Sequence, residues 1–373
     1  MKKPKVAIVH DWFVELGGAE KVVHQILTIF PDAELFSTVD FLKNRDCILN
    51  KKVKTTFIQK LPKAKSYQKY FPLMPFALEC LDLRGFDIII SSSSSVAKSV
   101  LTGPDQIHVC YCHSPMRYAW DLQEEYLEQT GSSKGIKGFL FRYLLYKMRG
   151  VDVRTSNNVD YFIANSNYIK NRIEKCYRRN SEVIYPNVQV DDFTVVDNKK
   201  DFYFTCSRLV PYKRIDLIVK AFSQMPDKKL VVIGDGPEMK KIKSIATKNV
   251  EMLGYQPFTV LKEYMQNAKA FVFAAQEDFG IVPVEAQACG TPVIAYGKGG
   301  SLETVVNGVT GVHFYEQTEK SLIDAVNLFE RNKPLDPNEI REHANKFSTD
   351  RFLKEFESFV MDKFEKKVAV SAS

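Results

Sequence analysis

The sequence predicts an α/β chain of two consecutive doubly wound domains, and three observations predict it. Its 373 residues exceed one ordinary core and suit two domains of roughly 150–200 residues each. Short β-rich runs alternate with helical patterns from end to end, which is the grammar of parallel sheets covered by helices. The alternation breaks once, at PNVQVDDFTVVDNKK (186–200), and then restarts. That stretch has turn residues, mixed charge and no sustained period, and it reads as an interdomain linker.

The first strand is KVAIVH at 5–10. Its apolar stretch is only about five residues, too short for the core of an export signal, so a cytoplasmic protein is expected. A helix over 19–30 follows, opened by Gly17-Gly18. Apolar, β-rich runs place further strands at 33–39, 54–59, 87–92, 108–113, 161–165 and 182–185. Helical spacing fills most of the gaps, at 115–127, 136–149 and 168–176. After the break come a strand at 202–206 and a helix at 214–224, then 230–233 and 238–246, 250–253 and 260–267. The same pairing continues with 270–274 and 282–289, then 292–295 and 302–306. Two helices close the chain, at 319–330 and 349–364, and 367–373 reads as a frayed tail. In such sheets ligands sit at the carboxyl ends of the strands, so functional residues should follow strands.

Bulk composition narrows the class. Hydrophobic content of 45% and charged content of 26% suit a soluble globular enzyme. No apolar run reaches the roughly 18–20 residues of a membrane span. The seven cysteines (47, 80, 110, 112, 176, 206, 289) form no CxxC pair and read as buried, reduced thiols. Cys110 and Cys112 fall on one face of a strand. The six histidines show no metal-binding spacing. The net charge of +7 is uneven: residues 1–185 carry 27 Lys+Arg against 19 Asp+Glu, and the rest 25 against 26. Seven lysines and no acid lie between Lys51 and Lys69, and five bases and no acid between Lys134 and Arg149. Neither patch carries a recognisable nucleic-acid module, so no nucleic-acid partner is expected.

Several motifs sit where a site should. Gly17-Gly18 opens a helix after the first strand, where glycine permits close backbone approach and the helix end attracts anions; a simple tight turn explains it equally well. Gly234-Asp235-Gly236-Pro237 also follows a strand. Neither has the third glycine of a dinucleotide fingerprint, which disfavours an oxidoreductase, and the second reads best as a structural turn. Arg208 and Lys213 follow the strand at 202–206, and two cations there can clamp a diphosphate. Glu277 and Glu285 flank Asp278, Phe279, Gly280, Ile281 and Val282. Gly280 permits a turn and Pro283 a first helical turn, so both carboxylates can border one pocket. His113 follows the strand at 108–113 in HSPMRYAWD and can orient a hydroxyl or donate toward a phosphate.

Together these segments resemble the retaining, glycogen-synthase-like family 4 of the GT-B glycosyltransferases. The resemblance runs nearly end to end, through GGAE, HSPMRYAWD, SRLVPYKRID, GDGP and QEDFGIVPVEAQACGTPVIAYGKGGSLETV. The last is the most specific, with two glutamates separated by seven residues. It implies two Rossmann-like domains facing across a cleft: an acceptor-binding one at 1–187 and a nucleotide-sugar-binding one at 200–348. A final helix, about 349–366, would cross back to the first. Glu285 would hold the ribose. Glu277 and the amides near Phe279 and Gly280 would hold the donor sugar, with Asp278, Ile281 and Val282 beside them. Arg208 and Lys213 would stabilise the departing diphosphate, Gly17 and Gly18 would approach it, and His113 would contact the sugar. The family needs no metal and no cofactor beyond its nucleotide-sugar substrate, and none is expected. The wording is similar to bacterial mannosyltransferases of O-antigen and exopolysaccharide pathways, which suggests GDP-mannose; a UDP-hexose donor, or a nucleotide-sugar epimerase of the same fold, are the alternatives. The basic, apolar stretches suit an anionic membrane surface. The expected acceptor is therefore a polyprenyl-diphosphate-linked glycan at the inner face of the cytoplasmic membrane.

Overall fold

The computed structural model describes residues 3–129, 131 and 134–371. The chain forms two compact units, Met1–Asn187 with Phe352–Ser373, and Val188–Arg351.

The first unit holds strands β1 (Val6–His10), β2 (Glu34–Ser37), β3 (Val53–Thr55), β4 (Ile88–Ser93), β5 (Ile107–Cys112), β6 (Tyr161–Ala164) and β7 (Ser181–Val183). Its helices are α1 (Gly18–Ile29), α2 (Met74–Glu79), α3 (Gln123–Gln129), α4 (Gly135–Ser156) and α5 (Asn167–Tyr177). The strands form one parallel sheet in the order β3-β2-β1-β4-β5-β6-β7. Strands β1, β4 and β5 are buried at every position. A sheet covered on both faces demands this; apolar residues fill most of these positions, and His10, Ser91, Ser92, Ser93 and His108 are the buried polar exceptions. Alternate side chains serve opposite cores: Val6 and Ile8 pack with α1, while Ala7 and Val9 pack with α2 and α4. Cys110 and Cys112 share one face of β5, buried among Phe162, Ile169 and Ile173. Not every cysteine is buried: Cys80 is exposed.

The second unit holds β8 (Lys200–Cys206), β9 (Leu230–Ile233), β10 (Val250–Gly254), β11 (Ala268–Phe273), β12 (Val293–Tyr296) and β13 (Gly311–Phe314). Its helices are α6 (Ile215–Ser223), α7 (Met239–Ile245), α8 (Phe258–Asn267), α9 (Ile281–Ala288), α10 (Ser301–Thr304), α11 (Glu319–Arg331) and α12 (Pro337–Asn345). Its parallel sheet runs β10-β9-β8-β11-β12-β13. The last helix, α13 (Thr349–Ser371), places Phe352, Phe356 and Val360 at 0% exposure in the core of the first unit. Their spacing makes one apolar stripe. The Phe352 and Phe356 rings lie 6.0 and 6.1 Å from Tyr111, and burying each is worth about 2–3 kcal/mol.

Five sequence expectations are corrected. The strand at 54–59 stops at Thr55, because the Thr56 side chain accepts the Ile58 N–H and starts a 3-10 turn over Phe57–Lys60. The helix at 115–127 shrinks to α3. Its first half is turn, held by Arg149 donating to the Ala119 carbonyl at 2.7 Å and by Arg172 donating to Ser114 Oγ at 2.9 Å. Strand β13 and helix α12 were unforeseen. The helix is capped by Asp336, which accepts the Asn338 N–H at 2.8 Å ahead of Pro337 at its first turn. The linker is not free chain: Val188 donates to the Phe347 carbonyl at 2.8 Å and Gln266 to the Thr194 carbonyl at 3.1 Å. The tail is helical to Ser371, and 372–373 lie outside the described residues.

Candidate functional site

Each sheet order reverses once, between β1 and β4 in the first unit and between β8 and β11 in the second. Crevices at such switch points, beyond the carboxyl strand ends, are where doubly wound sheets bind ligands. The candidate residues gather at these two places, one set in each unit.

In the second unit, β8 ends at Cys206, and the loop after it carries Arg208, which is exposed, and Lys213. Lys213 sits in a one-turn 3-10 helix that Arg214 closes in the left-handed region, at φ 54°. Strand β11 ends at Phe273, and Glu277 lies in the loop beyond. Lys213 Nζ donates to Glu277 Oε1, bridging the switch point. The two side chains are 18% and 21% exposed, so the pair is largely shielded but still reached by solvent. The Glu277 carbonyl accepts the Gly300 N–H at 2.8 Å. A Cβ on Gly300 would fall 2.3 Å from Phe279 Cα, and one on Gly299 2.5 Å from the Glu277 carbonyl oxygen. Only glycines let these two loops touch, and this touching fixes Glu277.

Gly280, at φ 89°, turns the chain into α9. Glu285 lies half-buried one turn into that helix. Burial pushes the Cys206 thiol upward, with Glu285 raising it further and Lys213 lowering it. The Phe279 ring is buried, 5.4 Å from Phe347, so its backbone is what it can offer a ligand. Asp278, Ile281 and Val282 are half-buried around it.

The GDGP turn has a packing role. A Cβ on Gly234 would stand 1.8 Å from the Ser207 carbonyl oxygen, and one on Gly236 2.5 Å from that of Leu209. Leu209 donates to the Asp235 carbonyl at 2.9 Å, and Glu238 to the Leu209 carbonyl at 3.1 Å. The turn thus clamps the loop that carries Arg208.

In the first unit, His113 follows β5. Its N–H donates to the Ser93 carbonyl at 2.9 Å, and its own carbonyl accepts from Asn165 Nδ2 at 3.0 Å. The ring lies 5.1 Å from Tyr111, and Nε2 is 2.8 Å from Ser92 Oγ. Burial, and secondly the charge of His10, depress its pKa to about 4. Ser92 Oγ is also 3.2 Å from His10 Nδ1, and His10 Nε2 is 3.4 Å from Glu20 Oε1. The other Glu20 oxygen accepts the Gly17 N–H at 2.9 Å. The Gly17 amide is therefore committed to Glu20, while Gly18 opens α1. Sequence reading found His113 and the glycines but missed His10, Ser92 and Glu20 between them. It also missed Gly299 and Gly300. The one signal was position: His10 ends the first strand and Ser92 lies near the end of the fourth.

Two family models match this chain. Residues 16–192 match the family model described as Glycosyltransferase Family 4, and residues 190–348 the model described as Glycosyl transferases group 1. An uncharacterized glycosyltransferase of Methanocaldococcus jannaschii is 30% identical over 207 residues, 52% of this chain and 58% of that protein. A Corynebacterium glutamicum protein named GDP-mannose-dependent monoacylated alpha-(1-6)-phosphatidylinositol monomannoside mannosyltransferase is 38% identical over 114 residues, 26% of this chain and 30% of its own. The chain thus spans less than two thirds of these relatives. Among solved structures, Anabaena HepE in complex with UDP superposes with a TM-score of 0.72 at 18% identity, over 96% of this chain and 100% of that one. Sucrose-phosphate synthase of Thermosynechococcus elongatus gives 0.69 at 16% over all of both chains.

Proposed function

We propose that this chain, which has the GT-B fold and carries both domains of the glycosyltransferases it matches, transfers a hexose from a nucleotide sugar with retention of anomeric configuration. The donor in this reading is GDP-mannose, the product an α-mannoside, and the acceptor a polyprenyl-diphosphate-linked glycan of bacterial surface polysaccharide synthesis. The observation that carries the reading is the partly exposed Lys213–Glu277 pair at the second switch point, with Glu285 on α9 in the segment that follows Glu277. Lys213 and Arg208 neutralise the diphosphate as it leaves, the charge that grows most in the transition state. Glu277 and the backbone at Phe279 and Gly280 accept and donate hydrogen bonds to sugar hydroxyls. Glu285 takes the ribose, Gly18 and the turn before it approach the diphosphate, and His113 contacts the sugar. These cations replace a metal: transfer should survive EDTA, and loss of activity restored by manganese would overturn that.

GDP-mannose rests on the mannosyltransferase names among the relatives, which include a yeast alpha-1,3/1,6-mannosyltransferase 28% identical over 207 residues. A UDP-hexose donor is the second reading, favoured by the Anabaena neighbour solved with UDP-glucose. A thermal-shift panel of GDP-mannose, UDP-glucose, UDP-galactose and UDP-GlcNAc separates them. Stabilisation by GDP-mannose above the others supports the first; preference for a UDP-sugar overturns it.

The acceptor reading rests on α4. Among the described residues no helix is long and apolar enough to cross a membrane. Yet α4 exposes Ile136 (81%), Phe139 (70%), Leu140, Tyr143 and Tyr146, interleaved with the exposed Lys137 and Lys147. Apolar side chains among bases suit the anionic cytoplasmic leaflet. The protein should co-sediment with anionic vesicles at low salt and not with neutral ones; absence of binding sinks the peripheral-membrane reading.

A further inference from the structure

We propose that Ser92 and His10 are positioning residues that hold His113 as the neutral tautomer protonated on Nδ1, so that it meets a ligand as a hydrogen-bond donor. The consequence for sugar binding rests on the function proposed above; the tautomer itself does not.

His10 is 2% exposed, and each of its ring nitrogens has an obligate acceptor against it. Its Nδ1 lies 3.2 Å from the Ser92 carbonyl oxygen, which can only accept, and its Nε2 lies 3.4 Å from a Glu20 carboxylate oxygen. Two acceptors require two N–H groups, so His10 is the imidazolium partner of a buried carboxylate. Glu20 offsets the cost of burial, raising the His10 pKa while its own is lowered. The Nδ1–H of His10 also points at Ser92 Oγ, 3.2 Å away. That hydroxyl owns a single hydrogen. Accepting from His10, it gives this hydrogen to His113 Nε2, 2.8 Å away. His113 Nε2 is therefore an acceptor, and the one proton of the neutral ring sits on Nδ1. Burial keeps that ring neutral down to pH about 4.

One register position back on β4, the same pairing recurs with a different end. Ser91 Oγ lies 2.8 Å from His108 Nε2, and His108 Nδ1 lies 2.8 Å from the Asn158 carbonyl. There a backbone carbonyl fixes the Nδ1–H tautomer and uses up its donor inside the protein. His113 is oriented by the relay instead. Its Nδ1 has no hydrogen-bond partner among the described residues, which leaves that donor for a ligand. The relay ends at the Gly17 amide, so the ring that would touch the sugar and the loop that would approach the diphosphate are held by one chain of hydrogen bonds. Orienting partners of this kind act on a reacting group through its tautomer.

The test is nitrogen-15 histidine NMR of the whole protein, which separates protonated from bare ring nitrogens, with His113→Asn to assign the His113 signals. The expected wild-type spectrum has His113 bare at Nε2 and protonated at Nδ1. Ser92→Ala should move His113 toward the Nε2–H tautomer, and Ser92→Thr, which keeps the hydroxyl, should not. His108 should be unchanged in both, which certifies the fold. A wild-type His113 protonated at Nε2 overturns the proposal without any variant, as does a His113 tautomer unmoved in a folded Ser92→Ala. With a nucleotide-sugar donor, Ser92→Ala should lower kcat/KM roughly tenfold, the size of one misdirected hydrogen bond. A shifted tautomer with unchanged transfer upholds the relay and removes His113 from sugar binding instead.

Discussion

Two lysine–carboxylate pairs lie beside the switch points of the two sheets, and they behave as opposites. Lys98 follows β4 and meets Asp152 of α4 at 2.5 Å, with the two side chains 2% and 0% exposed. Lys98 also donates to the Ser95 carbonyl at 2.9 Å. The second Asp152 oxygen takes Trp120 Nε1 at 2.8 Å and the Tyr177 hydroxyl at 3.0 Å. Both Asp152 oxygens and two of the three Lys98 donors are answered inside the protein, and burial keeps a ligand away. Lys213 and Glu277 present the same chemistry with about a fifth of each side chain exposed to solvent. Burial, not residue type, separates a structural clamp from a binding group. A buried pair costs much to break and little to replace, whereas an open one contributes little to stability and retains donors and acceptors for a substrate.

Breaking each pair tests the contrast. Lys213→Ala should cut transfer by about 10²–10³-fold, as for loss of a group aimed at developing charge, while its unfolding free energy shifts by less than about 1 kcal/mol. Steady-state kinetics beside urea unfolding check both halves. Asp152→Ala should do the reverse. It should lose about 3–5 kcal/mol of stability, because it strands a buried lysine. Lys98→Met/Asp152→Leu should recover most of that. A double variant as unstable as the single one would show that the pair does more than fill space. Glu285→Ala should weaken nucleotide binding about 10–100-fold, the loss of a charge-assisted hydrogen bond. The readout is the nucleotide-dependent rise in Tm.

The smallest effect is a pH dependence. Burial depresses His108 and His113 to about 4 from the ordinary 6.5. Between those values the unfolded chain binds more protons than the folded one. The stability these two rings contribute is complete above pH 6.5 and is lost as pH falls toward 4. The urea midpoint of the first domain should therefore drop progressively over that window, and His108→Asn should flatten the slope.

How far the sequence could be read follows from how each feature is encoded. Strands β1 and β9 are buried at every position, so each writes itself as an apolar run, with His10 at the end of β1 the one polar residue. Strand β13 has four residues and begins at Gly311, which is there because a Cβ would stand 1.9 Å from the Val293 carbonyl oxygen. That requirement belongs to a neighbouring strand and is invisible locally. The Asp336-Pro337 cap of α12 was legible and went unread. Lys213 and Glu277 were each legible from their places after strands; their pairing depends on β8 and β11 lying side by side, 68 positions apart by first residue. The relay from Glu20 to His113 was least legible. It crosses β1, β4 and β5, neighbours in the sheet although β2 and β3 separate β1 from β4 in the chain, and each link looks like an ordinary polar residue.

Helix α13 has a consequence for the order of synthesis. The ribosome delivers Phe352, Phe356 and Val360 after the whole of the second unit, yet they complete the core of the first. During translation the leading domain must wait, with that patch of its interior uncovered, until the final turns emerge. A released fragment ending at Asn187 would carry the same open patch and should aggregate. Grafting 349–371 ahead of residue 1 by circular permutation would let the leading domain close before the second is made.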